Sequence, residues 1–145
     1  TIAAYDSTLE DGIKSAQQGA KALAQWTTTL RDAARRHDGH QALLSNLSHA
    51  AYTEDGQLLF VNAGIDTAKP LFQQADMFWW GGRDFEFIDR RYFGAKRVIR
   101  GYDHRRRGFV MKTATASLDA GCGFGGPLIA ACFDGNGEAL EVLEA

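Results

Sequence analysis

From residue 7 to about residue 50, apolar and small residues recur at spacings of three and four. Ile13, Ala16, Ala20, Leu23, Thr27, Leu30 and Ala34 form one stripe, the period of a helix that buries one face. Ser7 and Glu10 stand three apart just ahead of it, the spacing of a capping box, so the helix is expected to open there. Much of the stripe is alanine, which permits close approach to whatever packs on it. Asp38 and Gly39 end the segment, and Leu43, Leu44 and Leu47 mark a second, shorter helix.

Past residue 50 the pattern changes to short apolar runs. Runs at 51–53 and 57–61 flank Glu54, Asp55 and Gly56, a hairpin signal. Further strands are expected at 96–100, 109–116, 128–133 and 139–143, with Asp-Gly-Asn-Gly at 134–137 as a strong turn. Glycine follows the same division, with only Gly12, Gly19 and Gly39 of the sixteen preceding residue 56. Helices first and strands afterwards predict an α+β fold, N-terminal helices followed by a mostly antiparallel sheet. A chain of 145 residues has room for one ordinary domain with a core. The expected organisation is therefore a single domain over 1–145, with a helical part at about 7–50 and a strand-rich part at about 51–145.

Composition narrows the class without naming a function. Hydrophobic residues at 45% and charged residues at 23% are ordinary for a globular chain and exclude general disorder. No run of 18 apolar residues occurs and the N-terminus lacks a basic-then-apolar pattern, so neither a membrane span nor an export signal is expected. Cys122 and Cys132 are too few for a disulfide framework or a four-thiolate zinc site. A reducing, cytoplasmic setting is the default, and association with a membrane complex stays open.

Charge alters the picture more. The net charge is −2, yet residues 83–112 hold ten Lys and Arg against four Asp and Glu, leaving six against fourteen elsewhere. Such a cluster, which includes Arg97, Arg100, Arg105, Arg106 and Arg107, would favour a phosphorylated ligand, nucleic acid or an acidic protein face. The plainer reading is that alternate strand positions put these charges in water.

Other motifs carry less. The segment 121–126 fits G-x-G-x-x-G, but a dinucleotide fingerprint needs its third glycine to open a helix. Pro127 and an apolar strand-like run follow instead, so a glycine-rich hairpin or bulge is expected. His37 and His40 flank a turn and could share a metal, but no third ligand is recognisable nearby. Cys122 and Cys132 could meet across strands, although a small buried residue is the commoner role of a free cysteine. Met-Phe-Trp-Trp-Gly-Gly at 77–82 is unusually aromatic. It reads as one wall of a core before it reads as an exposed recognition surface.

The second half resembles a known family. Phe-Val-Asn-Ala-Gly-Ile-Asp at 60–66, Phe-Trp-Trp-Gly at 78–81, Val-Ile-Arg-Gly-Tyr-Asp at 98–103 and Ser-Leu-Asp-Ala-Gly-Cys-Gly-Phe-Gly-Gly at 117–126 stand in the order found in bacterial calcineurin-like metallophosphoesterases, relatives of the Ser/Thr protein phosphatases. The likeness covers residues 57–145, and residues 7–50 resemble the helical insertion that precedes the Val-His-Ala-Gly strand. It implies the C-terminal half of an αββα sandwich.

The family chemistry uses two divalent metal ions, such as Mn or Fe with Zn, that polarise a phosphoryl group and supply hydroxide. Its first ligands lie in Gly-Asp-x-His, Gly-Asp-x-x-Asp-Arg and Gly-Asn-His-Asp/Glu motifs, none of which occurs in this sequence. Asn62 stands where the resemblance puts one metal-ligand histidine, and Tyr102 where it puts another. An amide oxygen is a weaker donor than imidazole, and a phenol ligates well only after losing a proton with a pKa of about 10. His104 lies two residues beyond Tyr102, about 6.6 Å along a strand, too far to take its place.

The resemblance therefore implies a catalytically degenerate domain, with no catalytic residue and no metal or other cofactor expected, serving as a structural or interaction subunit. Two alternatives accompany it. The chain could be part of a dinuclear-metal phosphoesterase whose remaining ligands lie outside it, the one case in which the two metals are expected, or it could bind phosphorylated ligands without cleaving them. Without the other half of the sandwich, an apolar face or edge is exposed. A protein partner or a second copy is expected to cover it, with Trp79, Trp80 and the Arg105, Arg106 and Arg107 run as contacts, and nucleic acid is not expected.

Overall fold

The long stripe of the first half folds as two helices, α1 (Leu9–Gln17) and α2 (Ala20–Arg35), followed by α3 (His40–Asn46). The break falls at Gly19, whose φ of 103° no other residue adopts readily. The start also differs from expectation by one residue. Thr8 is the cap, its hydroxyl accepting from the Asp11 N–H while the Asp11 carboxylate accepts from the Thr8 N–H. Ser7 instead accepts a hydrogen bond from the Trp26 indole at 2.9 Å. Close approach is supplied by glycine, since a Cβ at Gly12 would come within 2.7 Å of the Trp26 ring. These elements belong to a compact unit, Thr1–Leu47, and the remaining Ser48–Ala145 form a second. The computed structural model describes residues 2–81 and 84–145, so Thr1, Gly82 of the aromatic segment and Arg83 of the basic stretch lie outside the described residues.

The second unit carries the strands. A five-stranded sheet has the order β1 (Ala50–Tyr52), β2 (Leu58–Val61), β3 (Arg97–Arg100), β5 (Thr115–Asp119), β4 (Gly108–Met111), and β6 (Ile129–Phe133) pairs with β7 (Ala139–Glu144) in a separate ribbon. Three of the five pairings are antiparallel, so the α+β class with N-terminal helices and a mostly antiparallel strand set holds. The centre is nevertheless parallel, β2 beside β3 beside β5. Central parallel strands are covered on both faces: Leu-Leu-Phe-Val of β2 is apolar throughout, whereas β3 buries an arginine at each end of Val98 and Ile99. The run 109–116 is a hairpin instead of one strand, because residues 112–114 turn and place Met111 opposite Ala116.

One face of the sheet is covered by the long β2–β3 connection, which holds a short helix α4 (Met77–Trp80) and 3-10 turns at Leu71–Gln73 and Phe85–Phe87. Phe78, Phe85, Ile88 and Tyr92 from this connection pack with Leu59, Val61 and Val98. Gln74, fully buried, pins it by donating to the Asp66 and Lys69 carbonyls while accepting from the Asp66 N–H. On the other face, Leu58, Ile99 and Ala116 pack against Phe60, Leu118 and Phe133.

The glycine-rich segment forms a 3-10 turn, Cys122–Phe124, where a hairpin or bulge was expected, and it opens no helix. The Gly126 N–H closes it on the Gly121 carbonyl at 3.0 Å. A Cβ at Gly126 would lie 1.9 Å from the Ala120 carbonyl oxygen, while one at Gly123 would meet nothing within 4 Å. Gly126→Ala is therefore expected to cost about 1–3 kcal/mol through forced overpacking. Gly123→Ala should stay within about 0.5 kcal/mol of the parent. Urea denaturation of the two variants checks the difference, and equal costs would contradict this turn geometry. Cys122 and Cys132 are both free and exposed, so the expected buried role is corrected: the turn and the outer face of the ribbon carry them to solvent.

Candidate functional site

The parallel strands β2, β3 and β5 end together, and the residues just past their carboxyl ends meet. The Gly101 N–H bonds the Val61 carbonyl at 3.2 Å and the Tyr102 N–H bonds the Asn62 carbonyl at 2.8 Å. Asn62 and Tyr102, forty residues apart in sequence, thus sit side by side, both exposed. The Asn62 amide donates to the Trp79 carbonyl at 3.0 Å, which ties α4 to the end of β2. Trp79 is half-buried, with its ring edge-on to His49 at 5.6 Å.

Beneath Tyr102 lies a buried charge network. Arg100 and Asp103 are 1% and 0% exposed and form an ion pair of 2.9 Å. The Arg100 Nε–H donates to the Ser117 hydroxyl at 2.7 Å, and its guanidinium lies 4.4 Å from the centre of the Phe85 ring. Asp103 also accepts from Arg107 Nε at 2.8 Å and from the Arg105 N–H at 3.1 Å, while its own N–H donates to the Asp119 carboxylate at 2.9 Å. Glu86 completes the set, 3.2 Å from Arg105 and 3.0 Å from Arg107.

These contacts explain the ionisation. Burial alone pushes the Asp103 carboxyl up, but the Arg105 N–H, the Arg107 hydrogen bond and the charges of Arg100 and Arg107 outweigh it and hold the group below the ordinary carboxylate value. Burial draws Arg100 down from the usual guanidinium value, against the opposing charge of Asp103, and an arginine stays charged throughout. A carboxyl with a depressed folded-state pKa stabilises the fold above its unfolded value of about 3.9, and that contribution is lost as pH falls through the folded value. Between pH 5 and pH 3 the melting temperature should therefore fall more steeply for the parent chain than for Asp103→Asn. Asp55, Asp66 and Asp134, also lowered by local hydrogen bonds, leave a residual slope in both. Parallel slopes would contradict the assignment to Asp103.

The arginines singled out in the sequence separate into distinct settings. Arg97 stands at the opposite end of β3, 4% exposed, paired with Glu138 at 2.8 Å and donating to the Lys112 carbonyl. Arg97 and Arg100 are thus inside the protein, not on water-facing strand positions, because ion pairs at each strand end accept them. Arg105 and Arg107 bridge to Glu86. Arg106, at a φ of 50°, lays its guanidinium 3.4 Å over the Phe124 ring and its stem against Gly121. Of the aromatic pair, Trp80 is 82% exposed while Phe78 is the core residue.

Asp103, Asp119, Glu86 and Phe85 were not among the expected site residues. A signal for Asp103 did exist: an arginine inside an apolar strand needs a counter-ion, and Asp103 follows Arg100 by three. Glu86 and Phe85 arrive through tertiary folding and leave no local mark. His104 is exposed, with Nδ1 3.7 Å from Asp103. His37 and His40 stack at 5.0 Å beside Tyr5, whose hydroxyl oxygen lies 3.1 Å from His40 Nδ1. Among the described residues no three His, Cys, Asp or Glu side chains converge as metal ligands. No family model, curated protein or solved structure matches this chain.

Proposed function

We infer that Ser48–Ala145 form a catalytically degenerate metallophosphoesterase-like domain that acts as a structural or interaction subunit. One observation carries the reading. The two positions where the resemblance implies metal-ligand histidines lie together at the carboxyl ends of adjacent parallel strands, and they hold an amide and a phenol. The Asn62 amide nitrogen is committed to the Trp79 carbonyl. The nearest buried carboxylate, Asp103, is already compensated by the guanidinium groups of Arg100 and Arg107. Glu86 is likewise engaged by Arg105 and Arg107, and the Asp119 carboxylate by the Asp103 N–H, so the carboxylates beside Asn62 and Tyr102 are already committed and do not fit a dinuclear metal centre.

An interaction role is supported by what remains exposed. The β6–β7 ribbon leaves both of its outer edges unpaired within the sheet order and presents Leu128, Leu140 and Leu143 to solvent, and Trp80 is bare on α4. Free strand edges with apolar side chains are surfaces that proteins ordinarily cover. A protein partner or a second copy is the proposed cover. No helix among the described residues is long and apolar enough to cross a membrane. A cytoplasmic site, free or within a larger complex, is proposed for the domain, where two exposed thiols would stay reduced.

The test is twofold. Asn62→His combined with Tyr102→His should create no manganese-dependent hydrolysis of a chromogenic phosphate ester, because the other ligands are not supplied. Native mass spectrometry of the protein from its source should find the chain in an assembly. Manganese-dependent hydrolysis by the unmodified chain would overturn the reading in favour of a phosphoesterase completed from elsewhere. A monodisperse monomer stable at micromolar concentration would remove the interaction role.

A further inference from the structure

Among the described residues of 84–112, most cations have a partner, and the remainder lie at the opposite end of the sheet's central strand. Arg97, Arg100, Arg105 and Arg107 sit in ion pairs, Arg106 lies on Phe124, and Lys112 donates to the Glu86 carbonyl. Arg90, Arg91 and Lys96 make no ion pair among the described residues; the Lys96 ammonium donates to the Asn136 side-chain oxygen, at 2.9 Å. All three line one cleft of about 450 Å³ at the amino end of β3, about 10 Å along the strand from Arg100.

Local folding forces these charges together. Tyr92 and Ala95 exchange both backbone hydrogen bonds, 3.2 and 3.0 Å, across Phe93 and Gly94, whose φ values are 47° and 96°. Two successive positive φ values make the tight hairpin turn of the I′ kind. Arg91 and Lys96 are the next residues on its two arms, so the turn sets like charges at neighbouring positions, an arrangement that costs stability when nothing lies between them. Arg97 and Glu138 close one wall as a neutral pair, and Asp89 is the other carboxylate of the lining, with Asp55 also acting on Lys96 from outside it. Thr113 adds a neutral hydroxyl to the lining.

We propose that this cleft binds a phosphorylated small molecule, held through a dianionic phosphate or diphosphate group by Arg90, Arg91 and Lys96. Planar guanidinium forks match phosphate oxygens two at a time, and an ammonium adds a point charge. The volume is that of a ligand pocket, larger than a bare anion needs. Among the described residues of 84–112 the cations without an ion pair or ring partner, Lys112 aside, gather at one cleft instead of running as a stripe, which suits a compact ligand and not a polymer backbone. This site stands apart from the degenerate strand ends and does not depend on the phosphoesterase resemblance.

Calorimetric titration of the full chain with inorganic pyrophosphate at low salt tests it. One saturable site per chain is expected, weakened by added NaCl. Arg90→Gln with Arg91→Gln should weaken it at least about tenfold, the effect of losing a charge-assisted hydrogen bond. Arg106→Gln, which removes a cation outside the cleft, should leave it unchanged. Both arginines are exposed, and an unchanged melting temperature certifies the double variant; Lys96→Gln replaces it if it fails to fold. Sedimentation with phosphatidic-acid vesicles separates sources: binding that pyrophosphate blocks assigns a lipid headgroup, and no sedimentation assigns a soluble ester. Absence of saturable pyrophosphate binding, or equal losses from the cleft and Arg106 variants, would overturn the proposal.

Discussion

Asp103→Ala is expected to destabilise Ser48–Ala145 by about 3–5 kcal/mol, the cost of stripping one partner from a buried ion pair. For a unit of this size that corresponds to a fall in melting temperature of at least about 12 °C. The reason is positional. Asp103 is fully buried and answers Arg100 at 2.9 Å and Arg107 at 2.8 Å. Removing it leaves Arg100, itself 1% exposed, without that carboxylate in a low-dielectric setting. It also frees the Arg105 N–H and the loop 101–107 that carries Tyr102.

Replacing both charges should hurt less than the single changes suggest. Arg100→Met combined with Asp103→Ala is expected to cost less than the sum of the two, by as much as about 3 kcal/mol. Additivity within about 0.5 kcal/mol would mean that the two side chains are not coupled. Chemical denaturation of the four proteins measures the cycle. The network would then be what fixes the loop past the end of β3 against β5.

Local signals in the sequence were readable where a turn residue punctuated a period. Glu54, Asp55 and Gly56 set the β1–β2 hairpin, with Gly56 at a φ of 68°, and Asp134 with Gly137 set the β6–β7 ribbon. Where punctuation conflicted with period, the period misled. The stripe runs on through Gly19 because its spacing stays helical, yet the backbone there turns to positive φ. The run 109–116 reads as one strand because Lys112, Thr113 and Ala114 contain no turn former, and only the pairing of Met111 with Ala116 shows the reversal.

Pairing partners were less legible still. Nothing in residues 58–61, 97–100 and 115–119 says that they lie parallel, because parallel neighbours are chosen by burial on both faces across long connections. The candidate site shares that limitation. Asn62 and Tyr102 were found by motif comparison, and the sequence cannot show that the Tyr102 N–H closes on the Asn62 carbonyl. Arginine was the least legible residue type of all. Seven arginines at 90–107 look alike as letters, apart from the run of Arg105, Arg106 and Arg107. Folding buries Arg97 and Arg100 beside carboxylates, stacks Arg106 on a ring, and leaves Arg90 and Arg91 around an open cleft.

Phe85→Ala should rank with Asp103→Ala, at about 3–5 kcal/mol, since it empties a core position and withdraws the ring beneath Arg100. Phe85 is 2% exposed, packed among Phe78, Ile88 and Val98. Phe87, in the same 3-10 turn, is exposed, and Phe87→Ala is expected within about 0.5 kcal/mol of the parent. Phe85→Leu separates the two contributions. It restores most of the apolar volume, leaving a repacking cost below about 1.5 kcal/mol, and still lacks the π face, whose attraction for a desolvated cation is about 2 kcal/mol. In an Arg100→Met background the π contribution has no cation to act on, so Phe85→Leu should there cost only its repacking share. Urea midpoints with unchanged m-values give each figure. An equal cost of Phe85→Leu in both backgrounds would make Phe85 a core residue alone, and the arginine would then depend on Asp103 and Ser117 for its place.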